Sequence, residues 1–483
     1  MVEPSATKRI AKNFSWLFLG AVISGGFNFL SIVYLARVIG ASAFGLFQFA
    51  QAFLLYLIII VDSGLSFYGT SEIAKNKDKT GMISFNIFVI RLMIALLIFS
   101  ASLILLYIIP IASDIRLLFI LTFLLVFYRA LNSDWVFQGL EKMEYSALSK
   151  ALFSVLSFLT IILIVKESGD LYKIPLIQFI VGTLLSFIFI FLLIKFFFSI
   201  KKTDLSPRTW LRTFFLAVPL GASTILLLIY DNLDTIMLGL FDQPAVVGYY
   251  NAAYRIFYVF TGVLSLWITV VYPVVSHRLA ENKIKAELFL SKFLRITVLL
   301  MLPLTAFIFL IAPVIVQFVF GSQYHNSIPA LQILILAIIP LIVLNTFGGL
   351  ILVAGGHFNQ FFWAVMAGAV VNIVLNYFLI PSFSLIGAAI ATVAAYTFGG
   401  MAAFILSRQI IHLGLARHFI KPIVVSALSV MSFIATYHFL HGGVAGIHLI
   451  LSSLAFIVIF AGSVFMMEGK FILDFFSEIR SVK

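Results

Sequence analysis

ISFNIFVIRLMIALLIFSASLILLYII, residues 83–109, runs for 27 residues with a single charged side chain, Arg91. Wound as an α-helix at about 1.5 Å per residue, it reaches roughly 40 Å, more than the roughly 30 Å hydrocarbon core of a bilayer. A helix on a soluble core needs one apolar stripe, whereas this stretch is apolar all round. Its apolar residues run on without the two-residue alternation of a membrane β-strand, which excludes a β-barrel. The stretch reads as a transmembrane helix, and the rest of the chain repeats it.

Of 483 residues, 63% are hydrophobic and 10% charged, and mean hydropathy is +1.16. Soluble domains run at about half apolar and about a quarter charged. Breaking the chain at its polar and Gly/Pro punctuation gives fourteen spans, at 14–35, 45–68, 83–109, 113–136, 145–165, 173–198, 212–238, 246–275, 292–311, 327–353, 358–380, 384–407, 419–440 and 446–467. Ala312–Gly321 is apolar but short, and reads as an interfacial segment before the tenth span. The fold class is an all-α polytopic membrane protein of about fourteen transmembrane helices. The chain has no cysteine, so disulfides, thiol catalysis and Cys-ligated metal are excluded. The first apolar run is too long for a signal-peptide core and reads as a retained helix.

The formal charge of +12 would suggest nucleic acid in a soluble protein; in a membrane protein it asks which side is basic. With the N-terminus in the cytoplasm, 24 of the 31 Lys and Arg fall on cytoplasmic loops and tails. Only Arg37, Arg116, Lys166 and Lys173 fall outside, and Arg91, Arg129 and Arg255 lie within spans. The asymmetry predicts a multi-pass protein of the cytoplasmic membrane with both termini cytoplasmic. The longest polar connections, 199–211 and 276–291, leave no room for an ATP-binding domain, and no G-x-x-x-x-G-K-[ST] occurs. Nucleic acid is not an expected partner; membrane lipids are. The loops near 200 and 410 divide the chain into a six-helix lobe at 1–208, a second at 209–412, and two further helices at 413–483. A short parallel repeat supports the division. Gly45-Leu-Phe-Gln48-Phe-Ala50 and Gly248-Tyr-Tyr-Asn251-Ala-Ala253 each place a side-chain amide three residues after a helix-opening glycine.

An ionisable group at mid-bilayer costs at least about 2.5–3.5 kcal/mol, so each one needs a reason. Arg91 and Arg255 each lie about 13 Å into a span, near the midplane. Two such arginines from different lobes suit a central cavity accepting an anion; the other reading is that each pairs with a buried acid or snorkels to water. Asp231 and Asp234 share one helix face, as a proton or Na⁺ site, a counter-charge for Arg255, or solvated helix-end residues. Asp62 is a further coupling candidate, while Arg129 and Asp134 read as ties between helices. Asn28, Asn232, Asn251 and Gln48 add polar groups for a cavity wall or for interhelical bonds. The histidines lack metal-site spacing and no nucleophile–base pair stands out, so neither a metal nor a catalytic residue is expected.

Several ordered stretches carry a family pattern. They are N-x-S-W (13–16), A-R-V-I-G-A-S-A-F-G (36–45), D-S-G-L (62–65), D-N-L-D-T-I-M-L-G (231–239) and V-G-Y-Y-N-A-A-Y-R (247–255). F-G-S-Q-Y-H-N-S-I-P-A-L-Q-I-L (320–334), N-I-V-L-N-Y-F-L-I-P (372–381) and I-G-A-A-I-A-T (386–392) continue it. The set resembles the polysaccharide flippases (O-antigen and repeat-unit transporters) of the multidrug/oligosaccharidyl-lipid/polysaccharide exporter superfamily. The resemblance implies two six-helix lobes around a V-shaped cavity, two extra C-terminal helices, and alternating access. It implies a non-enzymatic flippase for a polyprenyl-pyrophosphate-linked glycan, with Arg37, Arg91, Arg129 and Arg255 as cations for the headgroup. Glycosyltransferases or a polymerase are the expected protein partners. No cofactor is expected beyond H⁺ or Na⁺ as a coupling ion. The alternatives are a cation-coupled exporter of small amphipathic compounds and a lipid II-type flippase.

Overall fold

A computed structural model of the chain describes residues 6–196, 207–414, 416–439 and 445–481; the side chains of some of these, including 222–231, are not described. Where water is absent every backbone N–H and C=O must be paired locally, and the described residues answer with helix and no strand. The helices are α1 (Ala6–Asp62), α2 (Leu65–Lys75), α3 (Thr80–Ile108), α4 (Ser113–Phe123), α5 (Leu125–Ala130), α6 (Asp134–Gly139), α7 (Met143–Ile164) and α8 (Lys173–Phe196). They continue as α9 (Pro207–Phe241), α10 (Pro244–Glu281), α11 (Lys283–Phe320), α12 (Ile328–Leu336), α13 (Ile338–Val343), a π-helix (Leu344–Val353), α14 (Phe358–Ser407), α15 (Ala416–Phe439) and α16 (Ala445–Ser481).

The sequence reads as fourteen spans; among the described residues ten helices are long and apolar enough to cross a membrane. The difference has physical causes. Two of the ten, Ser15–Lys75 and Phe358–Ser407, contain 61 and 50 residues. At about 1.5 Å per residue each has length for two crossings. The first is broken at Gly40 (φ 78°) and again at Ser63 and Gly64, the second at Ser384 (φ 54°, ψ −134°). The expected span 113–136 is instead cut into α4, α5 and α6. The expected span 212–238 lies within α9, much of whose side-chain surface is not described.

Two local expectations are corrected. The polar stretch 276–291 is not a loop: α10 and α11 meet at Asn282 alone. Asn282 Oδ1 accepts from the amides of Ile284 (2.9 Å) and Lys285 (3.2 Å) and so caps α11, while the charged residues on either side stay helical. Ala312–Gly321 is not a separate interfacial segment either. Ala312, Val316 and Phe320, four apart and fully buried, form one inward face that carries α11 on to Phe320.

The chain divides into two compact units, residues 1–248 and 249–483. In the first, α1 packs along α7, and Trp135, Phe137 and Phe189 fill a core shared by α2, α3, α6 and α8. Two crossings there are made of bare backbone. A Cβ on Gly45 would lie 1.7 Å from the Pro244 carbonyl oxygen, and one on Gly248 would lie 2.1 Å from the Ala41 oxygen. Nineteen residues on, a Cβ on Gly64 would lie 2.3 Å from the Ala217 oxygen, and one on Gly221 2.5 Å from the Ser63 carbonyl carbon. Small residues let membrane helices approach this closely. In the second unit α15 and α16 are fastened to α11. Buried Glu468 pairs with Arg295 and with Lys421 (3.0 Å), and Phe475 stacks on Phe289 at 5.2 Å.

These clearances fix opposite signs for one substitution at four glycines. Gly45→Ala and Gly248→Ala are each expected to destabilise by about 1–3 kcal/mol through overpacking. Gly25→Ala and Gly26→Ala, in helix with nothing within 4 Å, should be neutral or stabilise by up to about 1 kcal/mol. Thermal unfolding of the detergent-solubilised variants reads the difference.

Candidate functional site

The D-S-G-L stretch is where the long first helix ends. Ser63 (φ 42°) and Gly64 (φ 79°) take left-handed backbone, the chain turns, and α2 restarts at Leu65. Restarting a helix leaves its first N–H groups without partners. Asp62 serves them: its Oδ1 accepts from the Ser66 amide (3.3 Å) and the Ser66 hydroxyl (2.7 Å). The same oxygen receives Arg91 Nη2 from α3, which also donates to Ser66 Oγ. Arg91 Nη1 donates to the Asn132 carbonyl (3.4 Å), and the guanidinium lies over the Trp135 ring at 5.5 Å. Trp135 Nε1 donates to that same carbonyl (3.1 Å), and Thr70 Oγ1 to the Trp135 carbonyl (3.0 Å). The Arg91 side chain is 4% exposed. The acid that Arg91 meets is the coupling candidate Asp62, whose own side chain is 27% exposed. Together they brace the turn between α1 and α2.

Arg255 sits differently. It is partly buried on α10, and its Nε is buried without a hydrogen-bond partner. No carboxylate among the described residues pairs with it; the ionisable groups acting on its guanidinium are Tyr254 and Tyr258. Arg37 and Arg129 are exposed, and Arg129 lies over the Tyr128 and Phe153 rings at 5.1 and 6.0 Å. Asp234 is 1% exposed and engaged with neighbours, whereas the side chain of Asp231 lies outside the described residues. Gln48 is buried, with Nε2 lacking a hydrogen-bond partner. Asn251 is buried and engaged; Asn28 and Asn232 are partly buried. Among the described residues no three His, Asp or Glu side chains come together as a metal-ligand set.

Sequence reasoning missed Ser66, Trp135 and the Glu468–Arg295–Lys421 cluster. The four-residue spacing of Asp62 and Ser66 around a glycine was the available signal for the first. Nothing local marks Trp135 as the platform for Arg91, since 44 residues separate them. Elsewhere an intramembrane asparagine bonds between helices: Trp210 Nε1 of α9 donates to Asn86 Oδ1 of α3 at 2.8 Å.

A family model described as polysaccharide biosynthesis protein matches residues 10–279, and one described as MatE matches residues 219–378. The chain is 28% identical over 389 residues to a protein of Escherichia coli K12 described as an O-antigen transporter, covering 77% of this chain and 91% of that one. Among solved structures, the lipid II flippase MurJ in an inward closed conformation is similar with a TM-score of 0.77. The match has 16% identity and covers 94% of this chain and 99% of MurJ. An inward-facing multidrug resistance MATE transporter of the MOP superfamily is similar with a TM-score of 0.60 at 17% identity, covering 81% and 97%. At such identities the likeness is one of fold: a multi-pass helical membrane protein of the MurJ and MATE type.

The brace has an energetic signature. Asp62→Asn or Arg91→Met alone strands a charge or breaks the turn, and each is expected to cost about 3–5 kcal/mol. The double variant should cost clearly less than the sum. A double-mutant cycle on thermal unfolding measures it; strict additivity would mean the pair contributes nothing.

Proposed function

The chain belongs to the polysaccharide biosynthesis protein family, and on that premise we propose that it is a flippase. Its cargo is a polyprenyl-pyrophosphate-linked oligosaccharide, moved from the cytoplasmic to the outer leaflet of the cytoplasmic membrane. The description of the Escherichia coli relative as an O-antigen transporter supports this cargo class. In this reading the lobes are 1–208 and 209–412, with 413–483 as an added pair and both termini cytoplasmic. Glycosyltransferases supply the substrate on the inner face and a polymerase consumes it on the outer one. A pyrophosphate headgroup cannot cross hydrocarbon unaided, whereas its polyprenyl tail stays in lipid throughout. The protein therefore has to shelter only the headgroup while two lobes rock between inward and outward openings.

The observation that carries the reading is Arg255, a cation within a membrane helix that no described carboxylate neutralises. A membrane protein retains such a charge when an anion visits it. Arg91, by contrast, already has its acid. Arg255 is thus the principal receiver of the pyrophosphate, with Arg37 and Arg129 as exposed cations on its route. Gln48, Asn28, Asn232 and Asn251 offer donors and acceptors to sugar hydroxyls. H⁺ or Na⁺ antiport supplies direction, and Asp231 and Asp234 remain candidate ion sites.

Flipping of a fluorescent polyprenyl-pyrophosphoryl oligosaccharide in proteoliposomes tests this. Losing one charge-assisted bond to the headgroup is expected to slow Arg255→Ala about ten- to a hundredfold, with Arg255→Lys intermediate. Undiminished flipping in Arg255→Ala would remove this residue from the headgroup site. Wild-type transport of lipid II or a cationic dye in place of the glycan lipid would reassign the cargo.

A further inference from the structure

A second titratable site lies beside the brace. Between α5 and α6 the chain leaves helix at Leu131–Ser133, and Asp134 opens α6 on the far side of that break. Asp134 is 8% exposed, and its Oδ1 is buried without a hydrogen-bond partner. Ser149 and Asn132 donate toward the carboxyl group. No cation pairs with it among the described residues. Arg129, five residues earlier, is turned onto the Tyr128 and Phe153 rings, and Lys150 of α7 is exposed.

The other acids on the elements packed around α6 all have cations. Glu72 at the end of α2 pairs with Lys75 (2.8 Å), Glu144 of α7 with Lys12 (3.9 Å), and Glu141 with Lys77 (4.0 Å). Asp62 has Arg91. Tyr68 of α2 and Tyr145 of α7 complete the titratable groups there. Asp134 is therefore the one acid in the cluster without a salt bridge: Lys150 and Arg129 favour its charge from a distance, and its close contacts are neutral donors.

Asp134 is also wired to the turn. Its amide donates to Asn132 Oδ1 (3.0 Å), and the Asn132 carbonyl accepts both Arg91 Nη1 and Trp135 Nε1. Arg91 in turn holds Asp62 at the α1–α2 turn, where Gly64 lies against Gly221 of α9. We propose that Asp134 is a proton-binding site whose occupancy is passed through Asn132 and Arg91 to the α1–α2 turn. Protonation converts the carboxylate to a neutral acid with an O–H donor, removing a buried charge that no salt bridge holds. Deprotonation restores a negative charge beside the break and draws on Asn132, whose carbonyl accepts from Arg91. Asn132 is a positioning residue in this scheme. The use of that proton to drive transport rests on the flippase reading above; the binding itself does not.

The test needs no glycan lipid. The full chain in lipid nanodiscs is titrated between about pH 4 and about pH 9 by infrared difference spectroscopy, a range that brackets ordinary and raised carboxyl titrations. Trp135 emission is followed in parallel as the difference between wild type and Trp135→Phe. The expected result is a protonated-carboxyl band that vanishes as pH rises, is lost in Asp134→Asn and is kept in Asp62→Asn. Trp135 emission should change with the same midpoint, and Asn132→Ala should keep the band while losing the emission change. An unchanged band in Asp134→Asn, or no titrating carboxyl in wild type, overturns the site. An emission change retained in Asn132→Ala overturns the route. Should Asp134→Asn fail to fold, Asp134→Glu decides: a shifted midpoint supports the site and an unshifted one overturns it.

Discussion

An arginine placed among apolar helices sets a condition that its surroundings must meet, and in the first unit nearly everything near Arg91 is arranged to meet it. The acid that balances it stands on α1, the hydroxyl that bridges them on α2, the ring that flanks it on α6 and the carbonyl on the break just before α6. Four separate elements therefore share one charged centre. The backbone turn at Ser63–Gly64 is tolerable because Asp62 supplies acceptors to the restarted helix, and Asp62 can remain charged there because Arg91 is opposite. Removing either charge undoes two things at once, an ion pair and a helix start.

The second unit uses the same physics for attachment. Glu468, buried on α16, is held by Arg295 of α11 and Lys421 of α15, so three helices meet at one acid. Aromatic stacking continues the seam, with Trp267 on Phe293 at 5.8 Å and Phe289 on Phe475. Helix pairs in lipid gain little from hydrophobic burial, because lipid tails are as apolar as the side chains they would replace. Polar pairs, ring contacts and close backbone approach have to supply the specificity instead.

Much of this was legible in the sequence, and what was not has a common cause. Membrane-spanning helices announce themselves by length and apolarity, which is why α3, α7 and α8 fall within a few residues of the stretches read for them. Charges within those stretches announce themselves too, so Arg91, Arg255, Asp62 and Asp134 all stood out. Which of them meet depends on helix rotation and neighbour order, which no local pattern encodes; 29 residues separate Arg91 from Asp62. The glycines at 45 and 248 illustrate the same limit. They read as matching parts of a repeat, and they also touch each other, a fact about packing that the repeat did not contain. The polar run 276–291 failed for the opposite reason: a helix emerging from the membrane keeps its hydrogen bonds while changing its composition, so polarity there marked solvent and not a loop.

The two bare-backbone crossings have a mechanical meaning. Gly45 and Gly64 are nineteen residues apart, which at about 1.5 Å per residue is close to 28 Å, about the thickness of the hydrocarbon core. The stretch between them is thus a beam touched at its two ends, each by backbone with no side chain interposed. A contact without side chains has no interlocking knobs to shear, so it resists separation while permitting small rotations and slides, as a bearing does. The beam's second end coincides with the Ser63–Gly64 turn, the one place along it where the backbone is not helical. Tilting at the Gly45 bearing therefore need not bend the helix between; it is taken up where the chain already turns.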